Sequence, residues 1–229
     1  MKRILLCEDE AVIREFIVIH LRRSGFEVVE AATAEEALEL YEQHKDTVRM
    51  AILDLMLPGM DGFELCRRLR EQDSTMGILM LTARSQEEEK IKALKLGADD
   101  YVTKPFSPSE LIARVEALER RVKASEGASR DDLVSGDFTL NLLNRTLYRG
   151  GKPVELTQVE FQIMEYFLTH AGELLSRSDI LGRVWGADYY GEDQIVDVNI
   201  RRLRMKIEEN PSDPRHIVTV WGSGYRWDS

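Results

Sequence analysis

The run Met50-Ala51-Ile52-Leu53 is wholly apolar, ends in Asp54 and is followed by Leu55-Met56-Leu57-Pro58-Gly59. Four apolar residues closed by a Pro-Gly break read as a buried strand. A carboxylate at the end of such a strand stands where open α/β sheets place their chemistry, at the carboxyl edge. The pattern recurs. Ile4-Leu5-Leu6-Cys7 ends in Glu8-Asp9-Glu10, Ile78-Leu79-Met80-Leu81 ends in Thr82, and Tyr101-Val102 leads to Lys104-Pro105. Successive strand ends thus carry an acid pair, an acid, a hydroxyl and a lysine.

Between the apolar runs lie amphipathic stretches. Strands are expected over Arg3–Cys7, Glu27–Glu30, Met50–Leu53, Gly77–Leu81 and Tyr101–Val102, and helices over Ala11–Arg23, Ala34–Gln43, Gly62–Arg70, Gln86–Leu96 and Pro108–Val122. Alternating βα units imply a five-stranded, doubly wound parallel sheet with helices on both faces. Thr33-Ala34-Glu35-Glu36 has the form of a capping box at the second helix. After Val122 the apolar period stops, and residues 123–132 read as a linker. Residues 133–229 follow a different grammar. Phe138–Leu142 and Thr146–Arg149 alternate, with Gly150-Gly151 as a hairpin turn. Helical periods cover Thr157–His170, Arg177–Val184 and Gln194–Glu208, and Ile217–Val220 with Tyr225–Trp227 form a terminal hairpin. The expectation is an α/β domain over 1–122 and an α+β domain over 133–229. At 229 residues each is long enough for its own core.

No run of 18 apolar residues occurs, and the N-terminus lacks the h-region of a signal peptide. Cys7 and Cys66 lack metal-ligand spacing and read as buried thiols of a reducing cytoplasm. The net charge is −10, and both halves are acidic. Any nucleic-acid contact must come from a local basic face.

Glu8, Asp9 and Asp54 offer oxygen ligands to a hard divalent cation such as Mg²⁺ (or Mn²⁺), which retains several waters. Asp54 is then able to attack phosphorus and form an aspartyl phosphate. Charge on the transferring group needs cations and hydrogen-bond donors around it. Lys104 and Thr82 can supply these.

Residues 1–122 resemble the receiver domain of bacterial response regulators. The residues carrying this are Glu8-Asp9-Glu10, Asp54-Leu55-Met56-Leu57-Pro58-Gly59-Met60-Asp61-Gly62, Leu81-Thr82-Ala83 and Gly97–Phe106. The resemblance implies a flavodoxin-like sheet with Asp54 as phosphoacceptor and Glu8, Asp9 and the Met56 main-chain oxygen around the metal. It also implies that Lys104 contacts the phosphoryl group, Thr82 is the switch hydroxyl, Tyr101 is the switch aromatic, and Lys104-Pro105 is cis. It further implies a two-fold dimer through a face bearing Lys90, Asp99, Asp100, Glu110 and Arg114, with Lys90–Glu110 and Asp100–Arg114 as intermolecular pairs.

The stretch Gln194–Ile207 has Val196, Ile200, Leu203 and Ile207 on one helical face. At about 100° per residue, Gln194, Val198, Arg202 and Met205 lie opposite, and Asp197 can pair with Arg201. A cationic helix inside an acidic half fits a major groove, where Arg reads guanine. Residues 133–229 resemble the winged-helix effector domain of the OmpR/PhoB subfamily through Leu156–Phe161, Ser176–Leu181, Val196–Ile207 and Gly222–Arg226. By that resemblance Asp197, Val198 and Arg202 face bases, Asn199, Arg201 and Arg204 sit near phosphates, and the hairpin with Trp221 and Tyr225 is the wing. Many members carry Arg at the position of Trp221 and His at that of Asn199. Residues 186–193 correspond to a loop that some members use on RNA polymerase.

Three other readings compete. A haloacid-dehalogenase-type phosphatase places a second Asp where this chain has Met56. A nucleotide-binding domain needs a Gly-rich loop after the first strand, where this chain has Glu8-Asp9-Glu10. A receiver acting through protein contacts alone would show no salt-dependent DNA binding. The expectation is a non-enzymatic, cytoplasmic, phosphorylation-activated transcription regulator of a two-component system. Its partners would be a sensor histidine kinase, promoter DNA with tandem half-sites, RNA polymerase and a second copy of itself.

Overall fold

The computed structural model describes residues 3–83, 93–94, 96–123, 132–186, 189 and 193–229. The chain forms two compact units, Met1–Val122 and Lys123–Ser229.

The first unit runs β1 (Arg3–Cys7), α1 (Ala11–Arg23), β2 (Glu27–Ala31), α2 (Ala34–His44), β3 (Val48–Asp54), α3 (Gly62–Gln72), β4 (Gly77–Ala83), β5 (Asp100–Lys104) and α4 (Pro108–Lys123). The sheet is parallel, in the order β2-β1-β3-β4-β5. The order therefore reverses between β1 and β3, the switch point where α/β sheets open a crevice. On one face Ile4, Leu6, Ile52, Leu79, Leu81 and Val102 pack against Ile17, Leu21, Leu111, Val115 and Leu118 of α1 and α4. Leu5, Ala51, Leu53, Ile78 and Met80, the alternate residues, are buried as well. Burial of both faces explains why the strands read as continuous apolar runs. The helix expected over 86–96 lies largely outside the described residues.

Local chemistry fixes the helix starts. Thr33 caps α2 by accepting from Glu36 N at 3.2 Å, while Glu36 reaches back to Ala32 N rather than completing the expected box. Asp61 caps α3 through Glu64 N at 2.8 Å. Gly62 lies against the end of β3, and a Cβ there would sit 2.0 Å from the Asp54 carbonyl oxygen.

The second unit opens with an antiparallel sheet, β6 (Leu133–Ser135), β7 (Phe138–Asn141), β8 (Thr146–Arg149) and β9 (Lys152–Val154), in chain order. Gly150 and Gly151 both have positive φ, as a two-residue hairpin turn requires. Then come α5 (Gln158–Thr169), β10 (Leu174–Ser176), α6 (Arg177–Val184), α7 (Gln194–Ile207), β11 (Ile217–Val220) and β12 (Gly224–Trp227). The last sheet has the order β10-β12-β11. Capping boxes Thr157/Glu160 and Ser176/Asp179 open α5 and α6. Phe138, Phe167, Trp185, Ile200, Leu203 and Trp227 fill the core. Both cysteines are buried and free. Among the described residues no helix is long and apolar enough to cross a membrane.

Candidate functional sites

The ends of β1, β3 and β5 bring Glu8, Asp54 and Lys104 together across 96 residues of sequence. The Lys104 ammonium donates to Glu8 Oε2 at 2.8 Å and to Asp54 Oδ2 at 2.9 Å. Asp9 completes the cluster, the ligand atoms of Glu8, Asp9 and Asp54 all lying within 4.8 Å of one another. Glu8 and Asp54 are buried and Asp9 is exposed. Burial pushes the Glu8 carboxyl up to about 7, against the opposing pull of Lys104. Burial also opposes the charge on Lys104, but its hydrogen bonds to Glu8 and Asp54 hold its pKa above the ordinary value. Burial and then the Asp54 charge push the Cys7 thiol up to about 12, so that sulfur is inert.

Glu8 Oε1 is buried and has no hydrogen-bond partner among the described residues. Such an atom is costly unless something fills its coordination. A buried unsatisfied carboxylate oxygen, an exposed carboxylate and a third acid form an oxygen-only donor set that fits a hard divalent cation. Met56 follows β3 in a bend with its side chain exposed. Thr82 and Tyr101 are both buried, on neighbouring strands β4 and β5. Lys104-Pro105 is cis.

The expected dimer residues are placed differently. Asp99 is fully buried, and its Oδ2 accepts from Ile78 N at 2.7 Å and Arg70 Nη2 at 2.9 Å. It therefore anchors the start of β4 and is no surface charge, because Arg70 supplies its partner from within. Asp100 is fully buried too, and Arg114 pairs with it at 3.1 Å inside the chain, then with Glu110 at 3.2 Å. Within the single chain Arg114 and Asp100, expected to pair across a dimer, are thus already paired with each other. Lys90 lies outside the described residues.

Helix α7 buries more of its circumference than its apolar stripe implies. Val196, Ile200, Leu203 and Ile207 are inside as expected, but so are Ile195, Val198, Asn199 and Arg202. Asn199 Nδ2 donates to Ile195 O at 2.8 Å, so Asn199 is not presented to phosphates. Arg202 pairs with the buried Glu160 at 3.2 Å, with Lys206 on the other Glu160 oxygen at 2.6 Å. These two cations hold the Glu160 carboxyl below its usual range although burial pushes the other way. The expectation that Arg202 and Val198 face bases is corrected by this placement, because α5 offers Arg202 a buried acid. The exposed face carries Arg201 and Met205, flanked by the half-buried Asp197 and Arg204.

Asp197 does not pair with Arg201. It accepts from Arg177 Nε of α6 and from the Tyr225 hydroxyl of β12, each at 2.7 Å. That bond and burial push the Tyr225 hydroxyl up to about 12. Arg204 donates to Ile217 O and to Thr219 Oγ1 of β11 at 2.6 and 2.8 Å. Helix α7 and the terminal hairpin are therefore one hydrogen-bonded body. Trp221, 90% exposed, stands at the hairpin tip.

Sequence reasoning missed Arg14, Arg177 and Glu160. Arg14 Nη1 donates to the carbonyls of Glu8 and Asp9 at 2.7 and 3.2 Å, steadying the acidic loop. The capping-box pattern Thr157-x-x-Glu160 was the available signal for Glu160; for the two arginines only the fold shows the partner.

Each of the two units matches a known family. Residues 4–116 match the family described as response regulator receiver domain, and residues 151–227 match that described as transcriptional regulatory protein, C terminal. The chain is 41% identical over 228 residues to the sensory transduction protein RegX3 of Mycolicibacterium smegmatis, covering 99% of each. Among solved structures it is similar to the response regulator DrrB, an OmpR/PhoB homologue of Thermotoga maritima, with 31% identity, full coverage of both chains and a TM-score of 0.52. It is also similar to a RitR mutant, with 25% identity, coverage of 100% and 99%, and a TM-score of 0.78.

Proposed function

Because the chain belongs to the response regulators, DNA-binding transcription regulators of two-component systems with a receiver followed by an OmpR/PhoB-type effector domain, we propose that its control step is phosphorylation of Asp54. The supporting observation is Lys104 held between Asp54 and Glu8 at the sheet's switch point. A sensor histidine kinase is the donor. An Asp54 oxygen attacks phosphorus, the phosphorus–nitrogen bond of the phosphohistidine breaks, and the imidazole leaves with that electron pair and takes up a proton. Lys104 faces the new acyl phosphate and balances its charge, and Thr82 supplies a hydroxyl to its oxygens. Glu8, Asp9, Asp54 and the Met56 carbonyl hold Mg²⁺, which when bound offsets charge on the transferring group.

The added charge of about −1.5 to −2 reorganises the neighbouring strand ends. Thr82 and Tyr101 carry that change toward α4. Two receivers then pair, and two effector units engage tandem half-sites in the cytoplasm, next to RNA polymerase. Arg201 belongs to the DNA-facing surface of α7, with the half-buried Asp197 and Arg204 at its edge, whereas Tyr225, expected there from the sequence, is buried and ties the wing to Asp197.

Fluorescence anisotropy with a duplex selected by the chain from random sequence tests this. Treatment with acetyl phosphate and Mg²⁺ is expected to tighten binding and to convert monomer to dimer in light scattering. Unchanged affinity and mass with Asp54 quantitatively phosphorylated would overturn the proposal.

A further inference from the structure

We propose that Arg14 is a positioning residue of the cation site: its grip on the carbonyls of Glu8 and Asp9 aims the exposed Asp9 carboxylate at the ion. This role rests on the metal-dependent phosphorylation proposed above and names the residue that shapes the site's outermost ligand. The three acids are not held alike. Glu8 and Asp54 are buried, and each accepts from Lys104. Asp9 is exposed, and its carboxylate has no hydrogen-bond partner among the described residues. Its place therefore depends on the main chain of the turn between β1 and α1.

That turn is held differently from its neighbours. Helices α2 and α3 start on the side-chain caps Thr33 and Asp61 and carry acid in their first turns. The N-cap residue of α1, Glu10, makes no side-chain cap, and the first turn of α1 holds no acid. Arg14 closes that turn instead, where the helix dipole disfavours a cation. Helical side chains lean toward the N-terminus. Arg14 accordingly lies back over the turn, with Nη1 2.7 Å from Glu8 O and 3.2 Å from Asp9 O. Acids stand at positions 8, 9, 10 and 15, yet the guanidinium forms no ion pair among the described residues. It holds main chain, not charge. The two carbonyls belong to the peptide planes on either side of the Asp9 Cα, so pinning both sets the direction of its side chain. The effect has a sign that separates it from electrostatics. A guanidinium beside three acids repels a divalent ion, so deleting its charge alone tightens binding. Losing the clasp releases Asp9 and weakens it.

The test uses the full chain and Arg14→Met, which keeps the aliphatic stem and removes the charge and the donors. In calorimetry with Mg²⁺ alone, the variant is expected to bind about 10–100-fold more weakly, the scale on which outer partners orient a metal ligand. Mg²⁺ demands near-ideal octahedral geometry, whereas Ca²⁺ accepts irregular coordination. Ca²⁺ affinity is therefore expected to fall less. Melting without divalent ions should match the wild type, and at saturating Mg²⁺ phosphorylation of Asp54 should regain the wild-type rate. Should Arg14→Met fail to fold, Arg14→Gln, which keeps one donating amide, carries the same comparison. Equal or tighter Mg²⁺ binding, equal losses for the two ions, or a rate still depressed at saturating Mg²⁺ overturns the inference alone. A wild type that binds neither ion overturns the metal-site reading beneath it.

Discussion

Lys104 is bonded to two carboxylates at once, and its positive charge occupies space that a divalent ion and a phosphoryl group also need. Removing it has opposite effects on two measurements. Lys104→Met is expected to bind Mg²⁺ more tightly in calorimetry, because three acids are left without their ammonium, and to take up phosphoryl groups more slowly. Loss of both Mg²⁺ binding and phosphorylation would show that Lys104 holds the site's shape instead. Glu8 gives a pH signature. Its carboxyl is raised from 4.5 to about 7, so between those values the folded chain retains a proton that the unfolded chain has released. Stability in the absence of divalent ions therefore falls as pH rises through that window. Glu8→Gln should flatten this part of a denaturation-against-pH curve, and a slope unchanged in Glu8→Gln would assign it elsewhere. At this scale the acids, Thr82 and Lys104 were legible because each closes an apolar run. Asp99 was not legible, since its partner Arg70 lies 29 residues away on another element.

Helix α7 shows what amphipathic periodicity leaves out. The stripe Val196, Ile200, Leu203 and Ile207 marks the centre of the buried face, but the face extends to Asn199 and Arg202. A period counts polar residues as outward, whereas Glu160 at the start of α5 makes an inward arginine stable. Breaking a buried pair from one side costs about 3–5 kcal/mol. Arg202→Ala is accordingly expected to lower the melting temperature of the effector unit, with binding lost in proportion to unfolding. Arg201→Ala, on the exposed face, is expected to melt like the wild type and to weaken specific DNA binding by about 1–3 kcal/mol. The reverse pattern in melting curves and anisotropy would restore Arg202 as a base contact. Strands β6, β9 and β10 escaped notice because each has only three residues, too few to display alternation. The long helices had full periods, and most parallel strands read as continuous apolar runs because both their faces are buried.

The two units divide labour along the chain. The carboxylate cluster lies entirely in Met1–Val122, and all three tryptophans lie in Lys123–Ser229. Tryptophan emission therefore reports the effector unit, and phosphorylation of Asp54 changes it only when the units communicate. The fold class and the order of the two units were visible in the change of grammar after Val122. The pair that Arg114 makes with Asp100 inside the chain was not visible, because charge pattern alone does not separate an intermolecular from an intramolecular partner. The whole account depends on Asp54 becoming an acyl phosphate. Incubating the chain with a phosphodonor and Mg²⁺, then reducing the acyl phosphate with tritiated borohydride, which expels phosphate and leaves a labelled homoserine, and mapping peptides, tests this directly. The account predicts Mg²⁺-dependent incorporation at Asp54 that vanishes with EDTA and in a folded Asp54→Asn variant. Undiminished label in that variant, or none in the wild type with Mg²⁺ present, would contradict it.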